Sequence, residues 1–454
     1  MRSICTVIGN RRPLKHSPRL MVFLIAVTLV AVNAVPNLVT ARSTGPESVV
    51  PQTPTVTTLT GTFQVINNGP GDQTNPDVDC NLTSYASQDF LGNSRIHYIG
   101  SANIDYMVPG NGLDVFPDVA GNRIAFTEVG AMGDEVAFFD VMTQFRTDIP
   151  GSGRSRPAIG GDLVAYEDRS FFAGPNQSEL GIYDLSTETD IRLTNDLLFD
   201  KNAAVSPTGN AVVWEKCQTD GSRCNIYSAI QTSPGVFETR ALTGSTGDNR
   251  YPDTNGQIAV YISDRSGEND IYFQPLAGGA ETQIAIPGDQ RDPSISGNLI
   301  AFVSQAQLGY DIFVYDLSTR TLYQVTNTAV DEALTRITFC NGIGRIVYAA
   351  PASDYDVYAF TFQLPSAPSP ATQINDLIAL VRSFNLSPAL ESSLVSKLQD
   401  ALTAIGASDT ATACSSLTSF ISKTQSQSNK KITAEQKSQL INSANQIKTN
   451  LGCP

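Results

Sequence analysis

The stretch Asp248-Asn249-Arg250-Tyr251-Pro252-Asp253-Thr254-Asn255-Gly256-Gln257-Ile258-Ala259-Val260-Tyr261-Ile262-Ser263-Asp264-Arg265-Ser266-Gly267-Glu268-Asn269-Asp270-Ile271-Tyr272 holds most of one structural unit. A polar lead-in reaches Gly256, an apolar run ends on Tyr261, a polar turn follows, and a second apolar run begins at Ile271. Short β-branched and aromatic runs bounded by Gly, Pro, Asn and Asp read as strands. Gly256 stands five residues before the aromatic, where a tight hairpin needs a positive φ that glycine adopts without strain. The run between them is apolar at most positions, which suits a central strand buried on both faces.

The same unit recurs on either side. Its aromatic anchors are Tyr85, Phe126, Tyr166, Trp214, Tyr261, Phe302 and Tyr348, spaced by 41, 40, 48, 47, 41 and 46 residues. Gly121, Gly161, Gly209 and Gly297 repeat the place of Gly256, and Cys80 takes it in the first unit. Third strands follow at Ile96–Tyr98, Val136–Phe139, Ile182–Asp184, Ile226–Tyr227, Ile271–Phe273, Ile312–Tyr315 and Val357–Phe360, with fourth strands such as Ile191–Thr194 and Leu322–Thr326. A multi-stranded repeat of this length is the signature of propeller blades. The expected fold is mainly β, a seven-bladed β-propeller, or six-bladed if the weak first unit around Asn81–Tyr85 is an irregular extension.

The seventh unit runs out at Pro365 without a fourth strand, which leaves a free sheet edge. Thr62–Ile66 has the strand pattern and the place to cover that edge, so it is predicted to pair with Val357–Phe362 and close the ring. Cys80 and Cys340 sit in equivalent turns of units one and seven, neighbours only in a closed ring, and are expected to form a disulfide. Cys217 and Cys224 flank one hairpin turn, and Cys414 and Cys453 are left for each other. Six cysteines in an exported chain suit this framework.

The quoted stretch closely resembles the WD40-like repeat of TolB-type propellers, and Val205-Ser206-Pro207-Thr208-Gly209-Asn210 is similar to the usual turn of that repeat. The resemblance spans about residues 58–364. It implies a propeller that binds envelope partners through its channel. TolB has six blades and an N-terminal α/β domain, whereas about 25 residues separate the leader from the first strand here.

Pro365-Ser366-Ala367-Pro368-Ser369-Pro370 is a stiff linker over 365–370 that ends the β pattern. Helical spacing follows, with helices expected at 371–384, 388–404, 409–426 and 433–450 in a small all-α domain over 371–454. Ser387-Pro388 suits an N-cap and first turn, and Thr433 with Gln436 suits a capping box. Ala413-Cys414-Ser415-Ser416-Leu417-Thr418-Ser419-Phe420-Ile421, Lys431–Gln436 and Leu440-Ile441 together resemble the FIMAH-type helical domain. That resemblance implies an interaction or surface role.

At the N-terminus, Arg2, Arg11, Arg12, Lys15 and Arg19 precede an uncharged apolar run, Leu20–Val35, too short for a usual membrane span. Residues 1–34 read as a signal peptide cut at Ala34, with Ala41 as the other site, followed by a disordered linker over 35–57. Removing those five basic residues from 30 Lys+Arg leaves 25 against 44 Asp+Glu, a formal charge of −19. This excludes a nucleic-acid partner. A secreted, periplasmic or cell-surface monomer without a permanent membrane span is expected.

His97 is the one histidine outside the leader, which excludes multi-His metal sites and leaves little scope for Ser-His-Asp chemistry. Asp72, Asp200, Asp248, Asp289 and Asp331 each stand four residues before Pro76, Ala204, Pro252, Pro293 and Thr335. They are expected at one rim of the channel, where five acids suit a cation such as Ca²⁺ or a basic peptide, or else cap the turns of their own blades. Glu167-Asp168-Arg169 and Asp264–Asp270 read as turns with paired charges. The leading expectation is a non-enzymatic binding protein with a protein or glycan ligand at the cell envelope and no cofactor. A propeller lyase or hydrolase and a purely structural surface protein are the alternatives.

Overall fold

The structure, a computed structural model, describes residues 56–453 except 111, 171–176, 245–246, 306–308, 353, 366–368 and 429–430. The expected signal peptide and most of the linker after it lie outside the described residues. Seven sheets form the seven blades of a propeller. Their innermost strands are Gln73–Asp79, Asp114–Ala120, Arg154–Gly160, Phe199–Val205, Asn249–Thr254, Gln290–Ser296 and Ala333–Cys340, in blades one to seven. Each pairs antiparallel with the second strand of its blade, which carries the aromatic anchor. All seven anchors are buried, because those second strands lie between neighbouring sheets.

The ring closes as the edge argument requires. Gly61–Asn67 lies antiparallel to Tyr355–Phe362, pairing Phe63 with Phe360 and Val65 with Tyr358, so the N-terminal strand completes blade seven. The Cys80–Cys340 disulfide joins the inner hairpin turns of blades one and seven across 260 residues of sequence. Cys217–Cys224 links the ends of one hairpin, and Cys414–Cys453 forms in the helical region.

One strand has no counterpart in the sequence reading. Val56–Thr58 runs parallel to Thr321–Gln324 and adds a fifth strand to blade six, so ordered structure starts inside the segment expected as linker. The N-terminal segment thus crosses blade six, then blade seven, before entering blade one.

Helices α1 (Pro370–Ser383), α2 (Pro388–Gly406), α3 (Thr410–Gln425) and α4 (Ala434–Asn450) follow. Ser369 Oγ caps α1 by accepting the Thr372 N–H, and Thr433 with Gln436 forms the reciprocal capping box of α4. Leu377, Val381, Leu394, Leu398, Leu417, Phe420, Leu440 and Ile447 close a separate apolar core. Among the described residues no helix is long and apolar enough to cross a membrane.

Candidate functional site: the channel and its mouth

All seven innermost strands line one central channel of about 330 Å³. In every blade the ladder between the first and second strands slips, between Thr74 and Asp77, Val115 and Asp118, Ser155 and Ala158, Lys201 and Ala204, Arg250 and Asp253, Arg291 and Ser294, and Ala333 and Arg336. A bulge of this kind re-aims side chains. Its first residue is left-handed in six blades: Asn75, Phe116, Arg156, Asn202, Tyr251 and Asp292, all with φ between 49° and 54°. Non-glycine residues hold such a φ only where their surroundings enforce it. Here the preceding blade does so. Thr127 Oγ1 accepts the Arg156 N–H at 2.8 Å, Glu167 Oε1 that of Asn202 at 3.1 Å, and Glu215 Oε1 that of Tyr251 at 2.7 Å.

The six bulge residues ring the channel near the end where the innermost strands begin. The Arg156 guanidinium lies over the Phe116 ring, 4.1 Å from its centroid, and Tyr251 stands half exposed. On the same face the loops after the second strands of blades one and two carry Phe90, Leu91, Val129 and Met132, all exposed, and the loop into blade four carries exposed Leu197. The mouth therefore offers aromatic, amide, cationic and acidic groups beside apolar loop tips.

Two residues past each left-handed position the strand again faces the channel. Asp77, Asp118 and Asp253 occupy this level together with Arg336. Each aspartate staples its blade to the next: Asp77 Oδ2 accepts the Val119 N–H, Asp118 Oδ2 the Ile159 N–H, and Asp253 Oδ2 the Ile295 N–H, at 2.5, 2.6 and 2.8 Å. Ser294 Oγ does the same for Ile337. Arg336 Nε lies 3.8 Å from Asp77 Oδ1.

Desolvation holds the Asp77 and Asp118 carboxyls above the usual range, with repulsion from Asp253 adding to both and from Asp77 to Asp118, and desolvation raises Asp253 as well. Burial pulls Arg336 down, but Asp77, Asp253, Asp118 and Asp292 outweigh it and the net shift is upward. At the level of the three aspartates the wall carries three carboxyl groups and one guanidinium.

Of the five acids expected at the rim, four lie at the mouth end of their blades and Asp200 does not. Asp72, Asp248, Asp289 and Asp331 lie at the start of the innermost strands, each with Oδ1 accepting a backbone N–H: from Tyr355, Cys224, Asn269 and Tyr310. Those donors belong to the preceding blade, so the acids tie blades together rather than cap their own turns. Asp200 is out of register with them. Its blade has the bulge at Asn202-Ala203, so Asp200 aligns with Gln73, Asn249, Gln290 and Glu332. A slip of one residue turns a strand side chain to the other face. Asp200 is accordingly buried, donates nothing to the rim, and accepts the Trp214 Nε1–H at 2.7 Å. Among the described residues no three of the five share a cluster of metal-binding size.

Of the charged turns, Arg169 pairs with Glu167 at 3.0 Å as expected, whereas Arg265 pairs with Glu281 outside its own turn and Asp264 Oδ1 accepts the Asp248 N–H at 2.7 Å. The channel residues Asp77, Asp118, Asp253 and Arg336 and the six bulge residues were missed. The signal for them was the repeated Pro-Asp of Pro76-Asp77, Pro117-Asp118 and Pro252-Asp253.

No family model matches the chain, and no curated protein matches it. Solved structures do resemble it. The acylaminoacyl peptidase of Pyrococcus horikoshii aligns over 65% of this chain and 52% of its own, at 12% identity and a TM-score of 0.50. The β-propeller domain of the Trilobed protease from Pyrococcus furiosus aligns over 65% of this chain and 95% of its own, at 11% identity and a TM-score of 0.50. TolB from Acinetobacter baumannii aligns over 53% and 62%, at 16% identity and a TM-score of 0.39. The chain spans about half the length of the acylaminoacyl peptidase it matches. The likenesses to the two Pyrococcus proteins show the propeller fold alone, and it is the fold that the TolB-like repeats imply.

Proposed function

We propose that this chain is an exported, non-enzymatic binding protein that takes a cationic polypeptide segment of an envelope or extracellular partner into its channel mouth. The observation that carries this reading is the level of Asp77, Asp118 and Asp253, three carboxylates of raised proton affinity facing the single guanidinium of Arg336. A lysine or arginine side chain entering there offsets their mutual repulsion. The apolar tips Phe90, Leu91, Val129 and Met132 suit the flanking residues of a polypeptide better than they suit a glycan.

The same geometry favours binding over hydrolysis or lyase chemistry. Each channel aspartate already holds a backbone N–H of the next blade, and among the described residues the three do not converge to metal-ligand separation. The three disulfides are compatible with an extracytoplasmic location. The helical region, read as FIMAH-like, would supply a second contact.

The test is fluorescence anisotropy with a labelled lysine-rich peptide and its glutamate-substituted counterpart. The cationic peptide should bind the wild type, and Asp118→Asn and Asp253→Asn should each weaken it about tenfold, roughly 1.4 kcal/mol. Equal binding of both peptides, or unchanged affinity in both variants, contradicts the proposal.

A further inference from the structure

The interfaces between blades follow one pattern. A residue that opens the third strand of one blade faces the residue that opens the innermost strand of the next. Arg95 faces Asp114 with 3.9 Å between the charged groups, Asn225 faces Asn249 at 3.5 Å, and Asp270 accepts from Gln290 Nε2 at 3.0 Å. Between blades three and four the pair is Glu179 and Asp200, two acids, both almost wholly inaccessible to solvent. A third acid, Asp196, comes from the connecting loop and is exposed. One carboxylate oxygen of each lies within 4.8 Å of the others.

Each of the three has one oxygen already fixed. Glu179 Oε1 accepts the Asp196 N–H at 2.6 Å, Asp196 Oδ1 the Leu198 N–H at 2.8 Å, and Asp200 Oδ1 the Trp214 Nε1–H at 2.7 Å. Glu179 Oε2 is buried with no hydrogen-bond partner, in a residue only 1% exposed. An unsatisfied buried carboxylate oxygen is expensive, so something should neutralise it. Lys216 Nζ pairs with Asp196 and lies 3.5 Å from Asp200 Oδ2, and Arg192 lies 3.7 Å from Glu179 Oε1, but Glu179 Oε2 accepts no hydrogen bond from either.

We propose that Glu179, Asp196 and Asp200 form a divalent-cation site, for Ca²⁺, that clamps blade three to blade four. Calcium takes oxygen ligands at about 2.3–2.6 Å in irregular geometry, so ligands on opposite sides of the ion stand about 5 Å apart, which the cluster matches. Carboxylates with waters are hard ligands that suit Ca²⁺ over softer metals. Exposed Asp196 gives the ion its route in. The Lys216 ammonium, which already lies over the Tyr227 ring 5.3 Å from its centroid, pairs with Asp196 and Asp200 and would compete with the ion for them.

The test is calorimetric titration of the oxidised, chelator-stripped protein with CaCl2 and with MgCl2, alongside thermal melts. Calcium should bind with a Kd at or below about 1 mM, as in extracellular modules, and raise the melting temperature, with magnesium weaker. Asp196→Asn, at an exposed position that does not threaten folding, should weaken calcium roughly tenfold or more. Lys216→Met should tighten it, which loss of a merely structural ion pair would not do. Asp253→Asn in the channel should leave it unchanged. No calcium binding by the wild type, unchanged binding in Asp196→Asn, weaker binding in Lys216→Met, or loss in Asp253→Asn overturns the proposal.

Discussion

The two ends of the channel are built from the same seven strands yet present opposite chemistry. At the mouth, bulges project Asn75, Phe116, Arg156, Asn202, Tyr251 and Asp292, and the loops add exposed apolar tips. At the far end the strands turn tightly through Gly121, Gly161 and Gly297, and backbone packs on backbone: a Cβ on Gly160 would stand 2.0 Å from the Ser206 carbonyl oxygen. The Cys80–Cys340 disulfide lies at this far end. One end is organised to present side chains and the other to hold the ring shut, so changes at the two ends should separate binding from stability.

The largest effect expected at the far end is from Cys80→Ser. The bridge closes a loop across 260 residues, and the loop-entropy model assigns such a closure about 5.5 kcal/mol, against about 4 for the 39-residue separation of Cys414–Cys453 and about 2 for the 7-residue separation of Cys217–Cys224. Chemical denaturation should show that order. Peptide affinity of folded Cys80→Ser protein should be unchanged, and a loss there would break the division between the ends.

The next effect belongs to the mouth side. Asp114, Asp200 and Glu332, which open the innermost strands of blades two, four and seven, are pushed up by burial to about 6, 6 and 7. Glu332 Oε1 accepts from Thr328 Oγ1 at 3.0 Å, while its Oε2 has no hydrogen-bond partner and Asp311 adds repulsion. Between its ordinary value of 4.5 and about 7 the folded chain keeps a proton that the unfolded chain has released. Stability therefore falls as pH rises through that window, on the order of 2–3 kcal/mol from this group. Glu332→Gln should flatten the profile, measured as denaturation midpoints from pH 4.5 to 8. The smallest effect is that of Tyr251→Ala, expected to weaken the lysine-rich peptide severalfold, about 1 kcal/mol, without moving the melting temperature.

The blade repeat was legible because its strongest signals are local: a positive-φ turn, an apolar run and an aromatic anchor buried by neighbouring sheets. Ring closure was legible because the unpaired edge at Val357–Phe362 demanded a strand and Thr62–Ile66 had the pattern. Val56–Thr58 was not, being three exposed residues whose pairing is with a distant edge. The bulges were hidden by their own chemistry. A residue before proline is normally extended, so Asn75-Pro76, Phe116-Pro117, Arg156-Pro157, Tyr251-Pro252 and Asp292-Pro293 read as plain strand. Blade four lacks that proline, and aligning on Ala204 in place of Ala203 displaced Asp200 by one residue, enough to exchange rim for interior. The acids that face the channel stand immediately after the prolines, where a reading centred on turns did not look.

The most direct measurement places a photo-crosslinking amino acid at Tyr251, in the mouth, and in a second protein at Asn122, an exposed turn residue lining the far end. Irradiation with the labelled lysine-rich peptide should attach it to the protein substituted at Tyr251 and leave the one substituted at Asn122 unlabelled. Labelling at Asn122 equal to or above that at Tyr251 would contradict a channel that binds through its mouth.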